Sequence, residues 1–364
     1  PNAFIYKSDE KFGTKFYDID RCRKIVKDLM VFEGCDHRLI FKDFSLLVFF
    51  AGNDFLPQFP NVSNSIDSFE IVLKVYKKNK LHLSTKDDKI VWKNYLKLFQ
   101  AINNNEENLY VYFNLGRGKL KYPYPEIREA IKLLDTGGYV VNETYDTSKH
   151  RAQFDYINFK KEWYNKQFKP HTQVLEKIHK TREFFNQKDI DNMCLNFLKT
   201  IQWNHYYYTK GLNYVSDYHF YQYMYTPLTE DLESYMIKNM NKLEDIHSEV
   251  IRKNSDERLN AVEQLMMVLP PQSIDLIPVG FRSLYKKFMN SVNPVDFKIL
   301  EPEGTNASHE TKALIPPIDP LLTVYIFEES KVSLPKNLAF QESLIIKKKS
   351  LNILSMSVGD KVLM

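Results

Sequence analysis

The sequence predicts a mainly helical protein with a few strands (α+β), and three features carry that expectation. Apolar residues recur at helical spacing from Asp18 to Met30, from Asp67 to Tyr76, from Val91 to Ile102 and from Phe154 to Tyr208. Leu39 to Phe50 is apolar nearly all round and is cut off by Gly52, Pro57 and Pro60. From Ile274 to Ile326, Pro278, Pro294, Pro302, Pro316, Pro317 and Pro320 separate short apolar runs, a pattern of irregular chain with occasional strands.

Taken in order, Ala3 to Tyr6 reads as a strand. Asp18 or Asp20 then caps a helix whose Ile19, Cys22, Val26 and Met30 share one face. Leu39 to Phe50 reads as a fully buried helix. Helices over Asp67–Tyr76 and Val91–Ile102 are separated by the polar stretch Ser84 to Lys89. Asn103 to Lys149 carries Gly116, Gly118, Pro123, Pro125, Gly137 and Gly138 and reads as a loop-rich connection with one short helix, Glu126 to Leu134. Helical spacing resumes from Phe154, with a break expected at Pro170. Gln264 to Pro270 reads as a buried helix stopped by a proline. These shifts divide the chain into 1–102, a variable connection over 103–150, and a second helical region over 151–364.

Composition narrows the classes. The 364 residues hold 50 Lys+Arg against 46 Asp+Glu, a net charge of +4, too small to argue for nucleic acid without clustering. No apolar run approaches the roughly 20 residues of a bilayer-spanning helix, and there is no signal-peptide pattern. Cys22, Cys35 and Cys194 show no CxxC spacing, which favours a reducing compartment and three buried thiols.

Two segments carry candidate chemistry. Gly52-Asn53-Asp54-Phe55-Leu56-Pro57 follows the apolar helix directly, and a carboxylate on a turn at a rigid helix end is held as a metal ligand must be. An Asn-Asp pair is equally a common turn or cap, and on spacing alone that is the better reading. The second is Gln202 to Tyr208, with the aromatic stretch Tyr218 to Tyr225 after it; flat rings stack on single-stranded bases for roughly 1–3 kcal/mol each. With 25 Phe, 23 Tyr and 3 Trp in the chain, a Tyr-rich core explains the block as readily. His205 and His219 lack metal-ligand spacing, and the lysine runs 77–80 and 347–349 read as solvated faces.

In order, these blocks resemble the nuclease core of the Xrn family of 5′-to-3′ exoribonucleases. FFAGNDFLPQFP at 49–60, QWNHYYYTKG at 202–211, QLMMVLP at 264–270 with LIP at 276–278, and HETKALIPPID at 309–319 each look like a family block. PNAFIYKSDEKF at 1–12 is similar to the segment that follows the family's DxD strand. The resemblance implies the later part of an α/β nuclease core of the PIN or flap-nuclease type, lying downstream of most of the acidic active site.

By that resemblance Asp54 is a catalytic metal ligand, with Gly52 and Asn53 shaping its turn, and Trp203, Tyr206 and His219 are candidate nucleic-acid contacts. The implied reaction is Mg²⁺-dependent removal of mononucleotides from single-stranded RNA bearing a 5′-monophosphate. Two ions about 3.5–4 Å apart would be used, and one aspartate cannot hold both. The isolated chain is therefore expected to be inactive unless upstream acidic residues join it. The alternative is a catalytically inactive Xrn-like scaffold binding RNA or protein. A cytoplasmic role in mRNA decay is expected, with a nuclear type left open and decay partners unidentified. Departures fall at SDYHFYQYMYTP, 216–227, where Asp217 and His219 replace family tryptophans, and at His309, which replaces another.

Overall fold

The computed structural model describes residues 4–9, 13–61, 66–104, 131–133, 152–175, 186–223, 225–253, 258–269, 271–286, 298–300 and 312–314. The fold is mainly helical with short strand pairs, as the sequence predicts. The chain divides into two compact units, one of Val26–Glu257 with Pro294–Pro317, the other of Pro1–Ile25, Arg258–Asn293 and Ile318–Met364.

The chain opens with an antiparallel hairpin of β1 (Phe4–Asp9) and β2 (Gly13–Asp18), in a register pairing Phe4 with Asp18 and Asp9 with Gly13. Asp18 then caps α1 (Ile19–Met30): its Oδ1 accepts from the Asp20 and Arg21 amides at 2.9 and 3.1 Å. Of the expected inward face only Met30 is buried, and Cys22 is exposed. Periodicity fixes which residues share a face, not whether anything covers it. Cys35 is half-buried and only Cys194 is fully buried, so the expectation of three buried thiols fails for the first two.

In the larger unit, α2 (Ile40–Val48) runs into a 3-10 turn, Phe49–Ala51. It is not buried all round: Phe41 and Val48 are 42% and 36% exposed, while the charged Asp43 is completely enclosed. An enclosed carboxylate must be met by donors. Asp43 Oδ1 accepts from the Leu83 and Ser84 amides (3.1 and 2.9 Å) and the Ser84 hydroxyl (2.6 Å). Its Oδ2 accepts from Tyr76 Oη at 3.0 Å and faces His82 Nδ1 at 3.1 Å. Because His82 Nε2 accepts from the Asp36 amide, the ring proton sits on Nδ1 and points at Asp43. Burial raises the Asp43 pKa, and the hydrogen bonds from Ser84, His82 and Tyr76 pull the other way. This knot fastens α2 to the end of α3 (Ile66–Lys78) and to the turn leading into α4 (Trp92–Asn103).

Two local expectations are corrected. Ile131–Leu133, expected within a short helix, is strand β3, paired antiparallel with β4 (Ala152–Phe154). A short apolar run fits either structure, and here a pairing partner decides. The rest of that expected helix lies outside the described residues. Helix α5 (Tyr156–Leu175) passes through Pro170 without stopping, at the cost of the backbone bond that Lys166 would otherwise accept.

Helix α6 (Gln187–Lys210) starts at a capping box in which the Asn186 side chain and the Asp189 backbone and side chain satisfy each other, and it ends at Gly211 with φ +88°. Against it lie α7 (Thr229–Asn239) and α8 (Ile246–Glu249). The core of this unit is aromatic: Phe50 meets Phe59 at 5.2 Å, Phe59 meets Phe197 at 5.1 Å, and Trp163 stacks on Tyr225 at 4.6 Å. Strands β5 (Lys298–Leu300) and β6 (Lys312–Leu314) form another antiparallel pair, within the proline-rich region where strands are expected.

In the smaller unit, α9 (Ala261–Val268) begins at a capping box of Asn260 and Glu263. Val262, Met266, Ile277, Phe281, Leu284 and Tyr285 form a compact core of their own. The expected buried helix is buried on this side only, since Val268 is 74% exposed. Among the described residues no helix is long and apolar enough to cross a membrane.

Candidate active-site turn

Gly52 makes the turn after α2 possible. Its φ of 78° and ψ of 167° belong to a region open essentially to glycine, and a Cβ there would lie 2.6 Å from the Gln58 backbone nitrogen. Asn53 then closes the loop. Its Oδ1 accepts from the Phe55 and Leu56 amides at 2.9 and 3.0 Å, and its own amide donates to the Leu56 carbonyl at 2.8 Å. This is an Asx turn with a reciprocal backbone bond. Asp54 sits at its tip, exposed, and makes no hydrogen bond or ion pair among the described residues.

The last turns of α6 form the bed for this loop, and their helical register explains how. Trp203 and Tyr207, four residues apart, stack at 5.4 Å with an interplanar angle of 7°, and Phe55 meets both edge-on at 5.1 Å. Asn204 and Tyr208 lie on the neighbouring stripe. The Asn204 Nδ2 donates to Asn53 Oδ1 at 3.2 Å, and Tyr208 packs against Phe49 at 5.9 Å. Tyr208 is 55% exposed; partial burial raises its phenol pKa and the nearby Asp54 charge adds to that shift. The GNDFLP and QWNHYYY segments, some 150 residues apart in sequence, are therefore one structural feature.

The expected contact residues are enclosed to different degrees, and of the three Trp203 lies in this bed. Trp203 is 7% exposed, with its Nε1 donating to the Ser216 carbonyl at 2.8 Å, and Tyr206 is 2% exposed against Tyr214. His219 is half-buried, its Nε2 2.9 Å from Thr200 Oγ1. Since that hydroxyl donates to the Asn196 carbonyl, His219 is the donor. Asp217, at the other tryptophan-replacing position, forms a part-buried ion pair with Arg252 at 2.6 Å. Sequence reasoning missed Asn204, Tyr207 and Tyr208 as neighbours of the turn. The helical spacing of 203/207 and 204/208 shows which of these residues share a stripe, not that the turn packs on it.

Behind the bed, Gln202 bridges α6 to the turn before α4: it accepts from the Ile90 amide at 2.9 Å and donates to the Asp88 carbonyl at 3.0 Å. Lys42 and Lys210 close on the Asp88 carboxylate at 2.7 and 3.1 Å and lower its pKa against the effect of burial. His205 is fully enclosed, with Nδ1 3.4 Å from Ser45 Oγ, and burial lowers its pKa to about 4. An unfolded histidine titrates near 6.5, so His205 supports the fold fully above that pH and progressively less as pH falls towards 4. That window amounts to about 3 kcal/mol for this one ring. Urea midpoints are expected to fall between pH 7 and pH 5, and the decline should be shallower in His205→Leu.

The donor chemistry fits one ligand position for a hard divalent cation. Asp54 offers an exposed carboxylate on a backbone held by the turn, and among the described residues no group of three or more His, Cys, Asp or Glu side chains could hold a metal. The helical lobe and its GNDFLP turn define a class, and comparison agrees: a family model described as the Xrn1 helical domain matches residues 35–114 and 137–342, so the chain belongs to the Xrn family. An alignment of 101 residues that covers 25% of the chain is 34% identical to 5′-3′ exoribonuclease 1 of Saccharomyces cerevisiae. That match spans 6% of the length of the yeast protein.

Proposed function

We propose that this chain is the helical part of a 5′-3′ exoribonuclease that hydrolyses single-stranded RNA with a 5′-monophosphate, one nucleotide at a time. Asp54 is the ligand that this part contributes to a two-Mg²⁺ site completed by acidic residues elsewhere. The observation that carries the reading is the presentation of Asp54: an exposed carboxylate on a turn fixed by Gly52, Asn53 and the aromatic bed of α6. A turn needed only to end a helix would not require an uncommitted aspartate at its tip.

Bound Mg²⁺ would supply activation of the attacking water and stabilisation of the leaving oxygen. The chain's own residues do the positioning. Phe55 wedged against Trp203 and Tyr207 fixes the height of the turn, and Asn53 fixes its twist. The exposed ring of Tyr208 leaves an aromatic surface beside Asp54 where a nucleotide can lie. Three free cysteines suit a reducing, cytoplasmic setting.

The full-length protein is expected to degrade 5′-monophosphorylated RNA to mononucleotides in Mg²⁺, and to leave the same RNA intact with a 5′-hydroxyl or in EDTA. Product analysis on labelled RNA checks this. Binding of RNA without turnover under all these conditions would favour the catalytically inactive scaffold instead.

A further inference from the structure

Asn204 is enclosed completely in α6, yet its side chain is only half used: Nδ2 donates to Asn53 Oδ1 at 3.2 Å while Oδ1 has no partner. The facing amide is in the same condition. Asn53 Oδ1 takes three donors, from Phe55, Leu56 and Asn204, while the buried Nδ2 has none. Leaving buried polar atoms unpaired is costly, and an apolar side chain at 204 would avoid the cost at Asn204 itself. For packing alone an asparagine is a poor choice at this position. What it provides is a directional bond between a rigid helix and the oxygen that organises the turn of Asp54.

We propose that Asn204 is a positioning residue for Asp54, acting through Asn53. This rests on the reading of Asp54 as a metal ligand. The edge-on aromatic contacts of Phe55 with Trp203 and Tyr207 resist compression but allow sliding, because ring packing is less directional than a hydrogen bond. The Asn204–Asn53 bond removes that freedom. It sets the rotation of the Asn53 amide plane, and hence the angle at which the following residue leaves the turn. Partners that orient a ligand from behind typically account for 10- to 100-fold in metal affinity.

The test compares Asn204→Leu with wild type by hydrogen–deuterium exchange and by Mg²⁺ titration of exonuclease activity, both in the full-length protein. N204L is expected to speed exchange of the Phe55 and Leu56 amides about 10-fold while α6 stays protected. The Mg²⁺ concentration for half-maximal rate should rise roughly 10-fold, with KM for RNA within about twofold. Asn94→Leu serves as the control: it removes a part-buried amide that donates to the His82 carbonyl at 2.7 Å, away from the turn. If N204L unfolds, Asn204→Ser carries the same expectation.

Turn exchange and Mg²⁺ dependence that change no more in N204L than in N94L would overturn the proposal. An Asp54→Asn variant with unchanged Mg²⁺ dependence would sink the metal-ligand reading instead, whatever the exchange data show.

Discussion

Asp54→Asn is expected to lower kcat/KM on 5′-monophosphorylated RNA by at least about 100-fold in the full-length protein, because loss of an outer-shell partner alone costs 10- to 100-fold at metal sites. The substitution keeps size and shape and removes only the charge and one good oxygen donor. Hard cations depend on both. Stability should hardly move: Asp54 is exposed and makes no hydrogen bond or ion pair among the described residues, and surface changes of that kind stay within about 0.5 kcal/mol. The decisive comparison is of activity and melting temperature in one preparation. A drop in both together would mean that Asp54 serves the fold. Wild-type activity at an unchanged melting temperature would mean that it serves neither purpose.

The contrast between those outcomes shows why part of the site was legible in sequence and part was not. Gly52, Asn53 and Asp54 act within one tight turn, and local chemistry is what a sequence displays: a positive φ asks for glycine, and an Asx turn asks for asparagine. Helix positions were legible for the same reason. Burial was not. α1 has the spacing of an inward face, yet Cys22 on that face is exposed and only Met30 is buried. α2 looks apolar all round, yet it turns Asp43 inwards and Val48 outwards, because the donors on Ser84, Tyr76 and His82 come from the chain some 40 residues on. The pairing of Asn53 with Asn204 is of the same kind. Each is a long-range contact between polar side chains, and neither leaves a periodic trace in the sequence.

Replacing Gly52 by alanine tests the turn from the other side, through its backbone. Three glycines in the described residues have positive φ: Gly34 at 79°, Gly52 at 78° and Gly211 at 88°. A Cβ would meet nothing within 4 Å at Gly34 or Gly211, but at Gly52 it would lie 2.6 Å from the Gln58 nitrogen and 3.0 Å from the Leu56 oxygen. Alanine at 34 or 211 therefore costs strain alone, about 1–3 kcal/mol. At 52 the same strain is joined by a clash with backbone atoms that no side-chain rotation can relieve, adding about 1–3 kcal/mol more. The expected sum is about 4 kcal/mol and a fall in melting temperature on the order of 10 °C. The clash also predicts which bonds give way. Gln58 and Leu56 belong to the loop that closes on Asn53, so relief of the contact opens the Asx turn and displaces Asp54. Gly52→Ala should accordingly lose most of its nuclease rate even at temperatures where it is fully folded, while Gly34→Ala and Gly211→Ala lose stability and keep their rate per folded molecule.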